Sequence, residues 1–75
     1  MYKHVVDGNE LSSAAIDVFR RLFKKGSQDD GDLPSKSGML ELIRCGFAMK
    51  DYTMELPNRL TVVGQEAAER FFGVR

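Results

Sequence analysis

Apolar residues recur with helical spacing in three segments of this chain, and the first segment is the most regular. Its apolar positions form one stripe at about 100° per residue: Leu11, Ala15, Val18, Phe19 and Leu22. Asn9 is placed to cap the start of this helix, and Gly26 supplies a left-handed residue at its end. The pattern therefore predicts a helix over residues 10–25.

The second periodic segment predicts a shorter helix over residues 35–45. Ser35 is placed at its N-cap, and Gly46 is placed to end it. A helical wheel centred on Ile43 turns Met39 and Leu40 inward. The opposite face is then small or charged: Ser37, Gly38, Glu41, Arg44 and Cys45.

The third segment predicts a helix over residues 62–72, capped by Thr61. A wheel centred on its middle gives an inner face along one stripe: Leu60, Val63, Gly64, Ala67, Phe71 and Val74. Phe72 then lies about 140° from the centre of that stripe, on the outer face. An outward Phe on a small domain predicts either a homodimer contact through this helix or a cover supplied by the N-terminal strand with Tyr2 and Val6.

The remaining segments have the patterns of strands and turns. Two alternating runs predict a β-hairpin that pairs residues 47–52 with residues 57–60. Residues 1–6 alternate like a short edge strand or a loosely docked tail, and Asp7-Gly8-Asn9 is a turn signal. Residues 26–32 are acidic and rich in glycine, which predicts a hydrated loop.

Two runs of residues carry a family resemblance: Leu42-Ile43-x-x-Gly46-Phe47-Ala48-x-Lys50, and Arg59-Leu60-Thr61-x-x-Gly64-x-Glu66-Ala67. They resemble the second half of small winged helix-turn-helix DNA-binding domains, which contains the end of the recognition helix, the wing and the closing helix. The chain departs from that family at residues 26–32, where a separate helix would precede the recognition helix. We therefore expect an α+β, winged-helix-like fold with three helices and one small antiparallel wing, in a single domain spanning residues 1–75.

The resemblance implies that the second helix and the wing contact duplex DNA, as in a regulator of transcription. The candidate contacts are the polar and basic residues of those elements: Ser35, Lys36, Ser37, Arg44, Lys50 and Arg59. Hydroxyls and backbone amides at a helix N-terminus suit a phosphate, and an outward Arg suits a base edge. Glu41 and the acidic loop would repel phosphates.

The balance of acidic and basic residues also favours a second class of function. Lys and Arg total 11, Asp and Glu total 11, and the formal net charge is zero. A dedicated nucleic-acid binder usually carries a basic excess. The alternative is therefore a protein-interaction module of the same fold, which the neutral charge and the outward Phe72 favour.

The composition supplies few residues for disulfides, metal binding or catalysis. One cysteine, Cys45, and one histidine, His4, supply neither an internal disulfide nor a zinc site. The loop acids lack the ordered spacing of a calcium-binding loop. We find no nucleophile with a base and no phosphate loop, so we expect a non-enzymatic protein without a metal or cofactor.

The compartment follows from two patterns. No apolar run approaches the roughly 20 residues that span a bilayer, so we expect no membrane partner. The N-terminus carries charge and glycine where a signal peptide would be apolar. We therefore expect a cytoplasmic protein.

Overall fold

The structure is a computed structural model that describes residues 3–73, and it shows an α+β fold with three helices and two small antiparallel hairpins. In chain order, the elements are β1 Lys3–Val6, β2 Asn9–Ser12, α1 Ser13–Lys25, a 3-10 turn at Asp30–Asp32, α2 Lys36–Arg44, β3 Ala48–Lys50, β4 Asn58–Leu60 and α3 Val62–Phe72. The hairpin of β3 and β4 is the predicted wing, and the layout is the winged-helix-like one that the sequence predicts. The expected roles of Tyr2 and Val74 fall outside the described residues.

A second hairpin occupies the start of the described chain. β1 pairs with β2 through the predicted turn at Asp7-Gly8, where both residues have positive φ, 49° and 84°. Of the two alternatives for this segment, the strand is confirmed, whereas the predicted helix start at residue 10 was wrong. Leu11 is buried in β2, and its position fits both a strand and the helical stripe, which is why the helical pattern concealed this hairpin.

Ser12, rather than Asn9, caps α1. The Ser12 hydroxyl accepts a hydrogen bond from the Ala15 amide at 3.2 Å and donates one to the Glu41 carboxylate at 2.5 Å. Glu41 also accepts from the Ser12 amide at 3.1 Å. The start of α1 is therefore tied to α2, and Glu41, expected on the outer face, is half-buried by this contact.

α1 is the central element of the core. Buried apolar side chains of the described residues form one cluster, to which α1 contributes Ala15, Ile16, Val18, Phe19, Leu22 and Phe23. α2 adds Met39 and Leu42, and the Phe47 ring stacks on the Phe19 ring with centroids 5.4 Å apart. Because each large apolar side chain stabilises the fold by about 1.5–3 kcal/mol on burial, α1 supplies much of the stability.

α2 packs against α1 more closely than its pattern predicts. Gly38, expected to face outward, is buried, and a Cβ at this position would lie 2.6 Å from the Ala14 carbonyl oxygen. Leu40, expected to face inward, is exposed instead. The glycine therefore decides which face of α2 meets α1.

α3 is rotated by roughly 60° about its axis relative to the prediction. Its buried face contains Gly64, Ala67 and Ala68. Two residues expected inside are exposed: the exposed fraction is 56% for Val63 and 38% for Phe71. The predicted helix is confirmed, as are Gly64 and Ala67 on its inner face, but Val63 and Phe71 were assigned to that face wrongly.

The prediction that Phe72 lies on the outer face was therefore wrong. Its ring is half-buried, with its centroid 5.4 Å from that of Phe19 and 5.7 Å from that of Phe23. The Arg20 guanidinium carbon lies 5.4 Å from the same ring centroid. Within residues 3–73, α1 covers Phe72, so the geometrical reason for expecting a dimer contact at this residue no longer holds. The alternative cover by Tyr2 lies outside the described residues.

Gly64 fixes the rotation of α3. A Cβ at this position would lie 1.8 Å from the Phe47 carbonyl oxygen, far inside van der Waals contact. The same oxygen accepts a hydrogen bond from the Thr61 amide at 3.0 Å, and the Thr61 hydroxyl caps the helix by accepting from the Gly64 amide at 2.9 Å. A helical wheel records hydrophobicity and not the space that a missing side chain leaves. It therefore could not identify Gly64 as the point where α3 approaches the Phe47 backbone most closely.

We expect Gly64→Ala to destabilise the fold by about 3 kcal/mol, because the added methyl group meets the rigid backbone of Phe47 rather than a movable side chain. Urea unfolding followed by circular dichroism measures this change. Gly31→Ala is the matched control, since a Cβ at Gly31 has no heavy atom within 4 Å. Equal unfolding midpoints for the two variants would contradict the proposed role of Gly64.

Candidate nucleic-acid interface

A groove of about 380 Å³ runs along the outer face of the C-terminal half of α1. Its lining residues come from α1 and from the segment that enters α2: Asp17, Arg20, Arg21, Lys24, Lys25 and Pro34. Four of these six residues are cationic and one is acidic. The groove is therefore a basic surface on a chain whose formal net charge is zero.

The cations of the groove differ in whether a carboxylate or an aromatic ring of the chain lies close to them. Arg20 lies 3.6 Å from the Asp17 carboxylate, and both side chains are more than half exposed, so this pair is weak. The Lys24 ammonium lies 5.3 Å from the centroid of the Phe23 ring. Arg21 and Lys25 form no salt bridge with any other residue of the described chain. These two cations are the most available to an anion.

The local fold explains why cations gather here. The buried residues of α1 face α2 and α3. The α1 residues that stand between these buried positions in the sequence therefore project away from the core. Lys24 and Lys25 stand in the last turn of α1, where positive charge complements the helix dipole. Pro34 then brings the returning chain alongside, which turns an exposed helix face into a groove.

The N-terminus of α2 follows directly from this groove. Pro34 is separated from Lys36 by one residue, and Lys36 and Ser37 are both exposed. The Ser35 hydroxyl accepts from the Gly38 amide at 2.9 Å and lies 3.1 Å from the Ser37 hydroxyl. Ser35 therefore serves as the predicted cap, while Lys36 and Ser37 extend the basic surface beyond the groove.

Arg44 lies apart from this surface. It is exposed in the last turn of α2 and forms no salt bridge with residues 3–73. The helix geometry separates it from Lys36 by about 12 Å along the axis and about 80° around it. A ligand of the groove would reach Arg44 only if it extended along α2, as a duplex does.

The wing places Lys50 in a polar cluster rather than in free solvent. We define the loop–wing cluster by its five residues: Gln28, Asp30, Lys50, Tyr52 and Asn58. The Lys50 ammonium donates to Asp30 Oδ1 at 2.9 Å and to Asn58 Oδ1 at 2.6 Å. The Tyr52 hydroxyl donates to Asp30 Oδ2 at 3.1 Å. The loop at residues 26–32 is therefore bonded to the wing and is not merely hydrated.

Asn58 is the centre of this cluster, with an exposed fraction of 0%. Its side-chain amide donates to Asp30 Oδ1 at 2.7 Å and to the Gln28 carbonyl at 3.1 Å. The backbones of Gln28 and Asn58 also exchange two hydrogen bonds, one in each direction, at 2.9 and 3.1 Å. These donors, led by Asn58 and followed by Lys50, lower the pKa of Asp30 to about 2.

The last predicted contact, Arg59, is half-buried on β4 opposite Met49. Hydrogen bonds from the side chain and backbone of Thr53, aided by the charge of Arg59, hold the pKa of Asp51 below its ordinary value. Arg59 and Asp51 therefore attract each other electrostatically, although they form no salt bridge within residues 3–73. The wing is consequently less basic than its sequence indicates.

The six predicted contacts do not form one patch. Lys36 and Ser37 adjoin the groove, Arg44 lies at the far end of α2, and the wing cations face acids of their own chain. The predicted site leaves out all four groove cations: Arg20, Arg21, Lys24 and Lys25. The signal was present in the basic outer face of α1, but the approach of Pro34 depends on tertiary structure.

No protein-family model, curated protein or solved structure matches this chain. Within residues 3–73, His, Cys, Asp and Glu form no group of three or more that could hold a metal ion. No helix of that part of the chain has both the length and the apolarity to cross a bilayer.

The low pKa of Asp30 gives the loop–wing cluster a defined acid dependence. Its stabilising contribution is fully present above the ordinary carboxyl pKa of 3.8 and is lost as the pH falls through about 2. We expect the unfolding free energy of the wild type to fall more steeply across this window than that of Asp30→Asn. Urea unfolding at a series of pH values measures both slopes.

Asp32→Asn is the matched control, because Asp32 lies in the same 3-10 turn and its side chain forms no hydrogen bond within the described residues. This variant should retain the acid dependence of the wild type. An Asp30→Asn protein with an unaltered slope would show that the cluster does not depend on the carboxylate.

Proposed function

We propose that this chain is a small cytoplasmic protein of the winged-helix type that binds duplex DNA, as a regulator of transcription does. The proposal rests on one observation: a neutral chain gathers four cations in the groove on α1, beside the exposed Lys36 at the N-terminus of α2. Phosphate contacts dominate the affinity of DNA-binding proteins, and a basic groove is the surface that supplies them.

The state of the cations supports this proposal. Arg21 and Lys25 hold no protein counter-ion among residues 3–73, so a phosphate need not displace one. Lys36 and Ser37 add a cation and a hydroxyl at a helix N-terminus, where the dipole favours an anion.

The same surfaces imply that sequence discrimination is weak. The exposed side chains of α2 that suit base edges are few, and Arg44 is distant from Lys36. The wing contributes little free charge, because Lys50 is bonded to Asp30. We therefore propose that phosphate contacts provide most of the affinity and that salt weakens binding strongly.

The second candidate is a protein-interaction module, and the tip of the wing favours it. Apolar side chains there are exposed, and acids accompany them: Asp51, Tyr52, Met54, Glu55 and Leu56. Exposed apolar residues with acids suit a protein surface better than a phosphate backbone.

A homodimer through α3 also stays a prediction, but its apolar contacts would be Val62, Val63 and Phe71 rather than Phe72.

The DNA proposal predicts how single charge changes act. We expect Arg21→Gln and Lys25→Gln each to weaken binding of a labelled random duplex and to reduce the slope of log K against log salt by about 0.9. Fluorescence anisotropy across a salt series measures affinity and slope together. The loss should be similar for duplexes of different sequence, because both residues contact phosphate in this proposal.

Val62→Glu serves as the charge control. It lowers the net charge by the same single unit, at an exposed position in the first turn of α3 and outside the groove. A slope that changes equally in Val62→Glu would attribute the effect to net charge and contradict a groove site. If the wild type leaves the duplex unbound at low salt, the DNA proposal is wrong and the interaction module takes its place.

A further inference from the structure

Lys50 is the predicted DNA contact that an acid of its own chain neutralises directly. Its ammonium lies 2.9 Å from Asp30 Oδ1, and its side chain retains an exposed fraction of 27%. Lys36 and Arg44, by contrast, form no salt bridge with residues 3–73. A phosphate at the wing would therefore have to compete with a carboxylate that is already in place.

The carboxylate is held without help from Lys50. Asn58 Nδ2 donates to Asp30 Oδ1 at 2.7 Å, and the Tyr52 hydroxyl donates to Asp30 Oδ2 at 3.1 Å. The Asp29 side chain accepts from the Asp30 amide at 2.9 Å, which fixes the start of the turn. Asp30 would consequently keep its position if the flexible Lys50 side chain moved away.

The backbone of the loop is fixed to the wing as well. Gln28 and Asn58 exchange two backbone hydrogen bonds, and Asn58 Nδ2 adds a third to the Gln28 carbonyl. The loop therefore stays docked beside β4 independently of the Asp30–Lys50 pair. Lys50 carries its charge on a flexible four-carbon stem and retains an exposed fraction of 27%, while its ammonium also donates to the buried Asn58 Oδ1 at 2.6 Å.

We propose that Asp30 is an intramolecular competitor of DNA phosphate for Lys50, so that the loop limits how strongly the wing contributes to binding. This inference rests on the proposed DNA-binding function. The carboxylate offsets the Lys50 charge, so a phosphate gains little by contacting this ammonium. Removal of that charge should convert the wing into a further phosphate contact.

The test is Asp30→Asn, which removes the charge while its side-chain oxygen can still accept from Asn58 and Lys50. We expect tighter binding of a labelled random duplex at low salt, with a salt slope steeper than that of the wild type by about 0.9. Asp32→Asn is the matched control, since it makes the same change in net charge in the same turn. Its slope should equal that of the wild type.

The double variant Asp30→Asn with Lys50→Gln assigns the gain to Lys50. If Asp30 acts by masking Lys50, the added slope disappears in the double variant, whereas Lys50→Gln alone changes wild-type binding little. A gain that survives the loss of Lys50, or one that Asp32→Asn reproduces, overturns the inference. Failure of the wild type and of Asp30→Asn to bind the duplex overturns the DNA proposal and, with it, this inference.

A second comparison applies if Asp30→Asn does not fold, as judged by circular dichroism. In the wild-type background, Lys50→Gln should reduce the salt slope much less than Lys36→Gln, because Lys50 is already compensated. Equal losses for the two variants would show that Lys50 contacts DNA freely, which contradicts the masking role of Asp30.

Discussion

The close approach of α3 to the backbone of Phe47 organises most of this fold. The absence of a side chain at Gly64 lets the helix reach the Phe47 carbonyl, and Thr61 bonds to the same oxygen while it caps the helix. This contact joins the wing to α3, and the stacking of Phe47 on Phe19 joins both to α1. With that rotation fixed, Phe72 closes the core against α1 and Phe71 is left at the surface.

A second constraint is polar, and it holds the loop where the family resemblance would place a helix. Asn58 is fully buried, and each such group costs about 1–3 kcal/mol if its hydrogen bonds are not made. Within the described residues, no buried side-chain nitrogen or oxygen lacks a partner, so the loop–wing cluster meets this requirement in full. The loop is therefore a structural part of the wing, and its docking beside β4 also determines the charge that the wing presents.

The sequence predicted those elements whose signals are local. The wing and the last two helices follow from apolar periods with caps at Ser35 and Thr61, and Lys36 and Ser37 follow from their place at a helix N-terminus. The first hairpin was concealed because Leu11 fits two periods at once. The rotation of α3 and the pairing of Lys50 with Asp30, 20 residues away, depend on contacts between elements, and no local pattern shows them.

The distribution of charge reconciles a neutral chain with a basic groove. The groove gathers four cations, Arg20, Arg21, Lys24 and Lys25, beside a single acid, Asp17. Two of these cations, Arg21 and Lys25, form no salt bridge within the described residues. Equal totals of acid and base therefore leave one face with available positive charge. Because a phosphate responds to the nearby charges and not to the total, net charge alone argues weakly against DNA binding for a chain that concentrates its cations on one face.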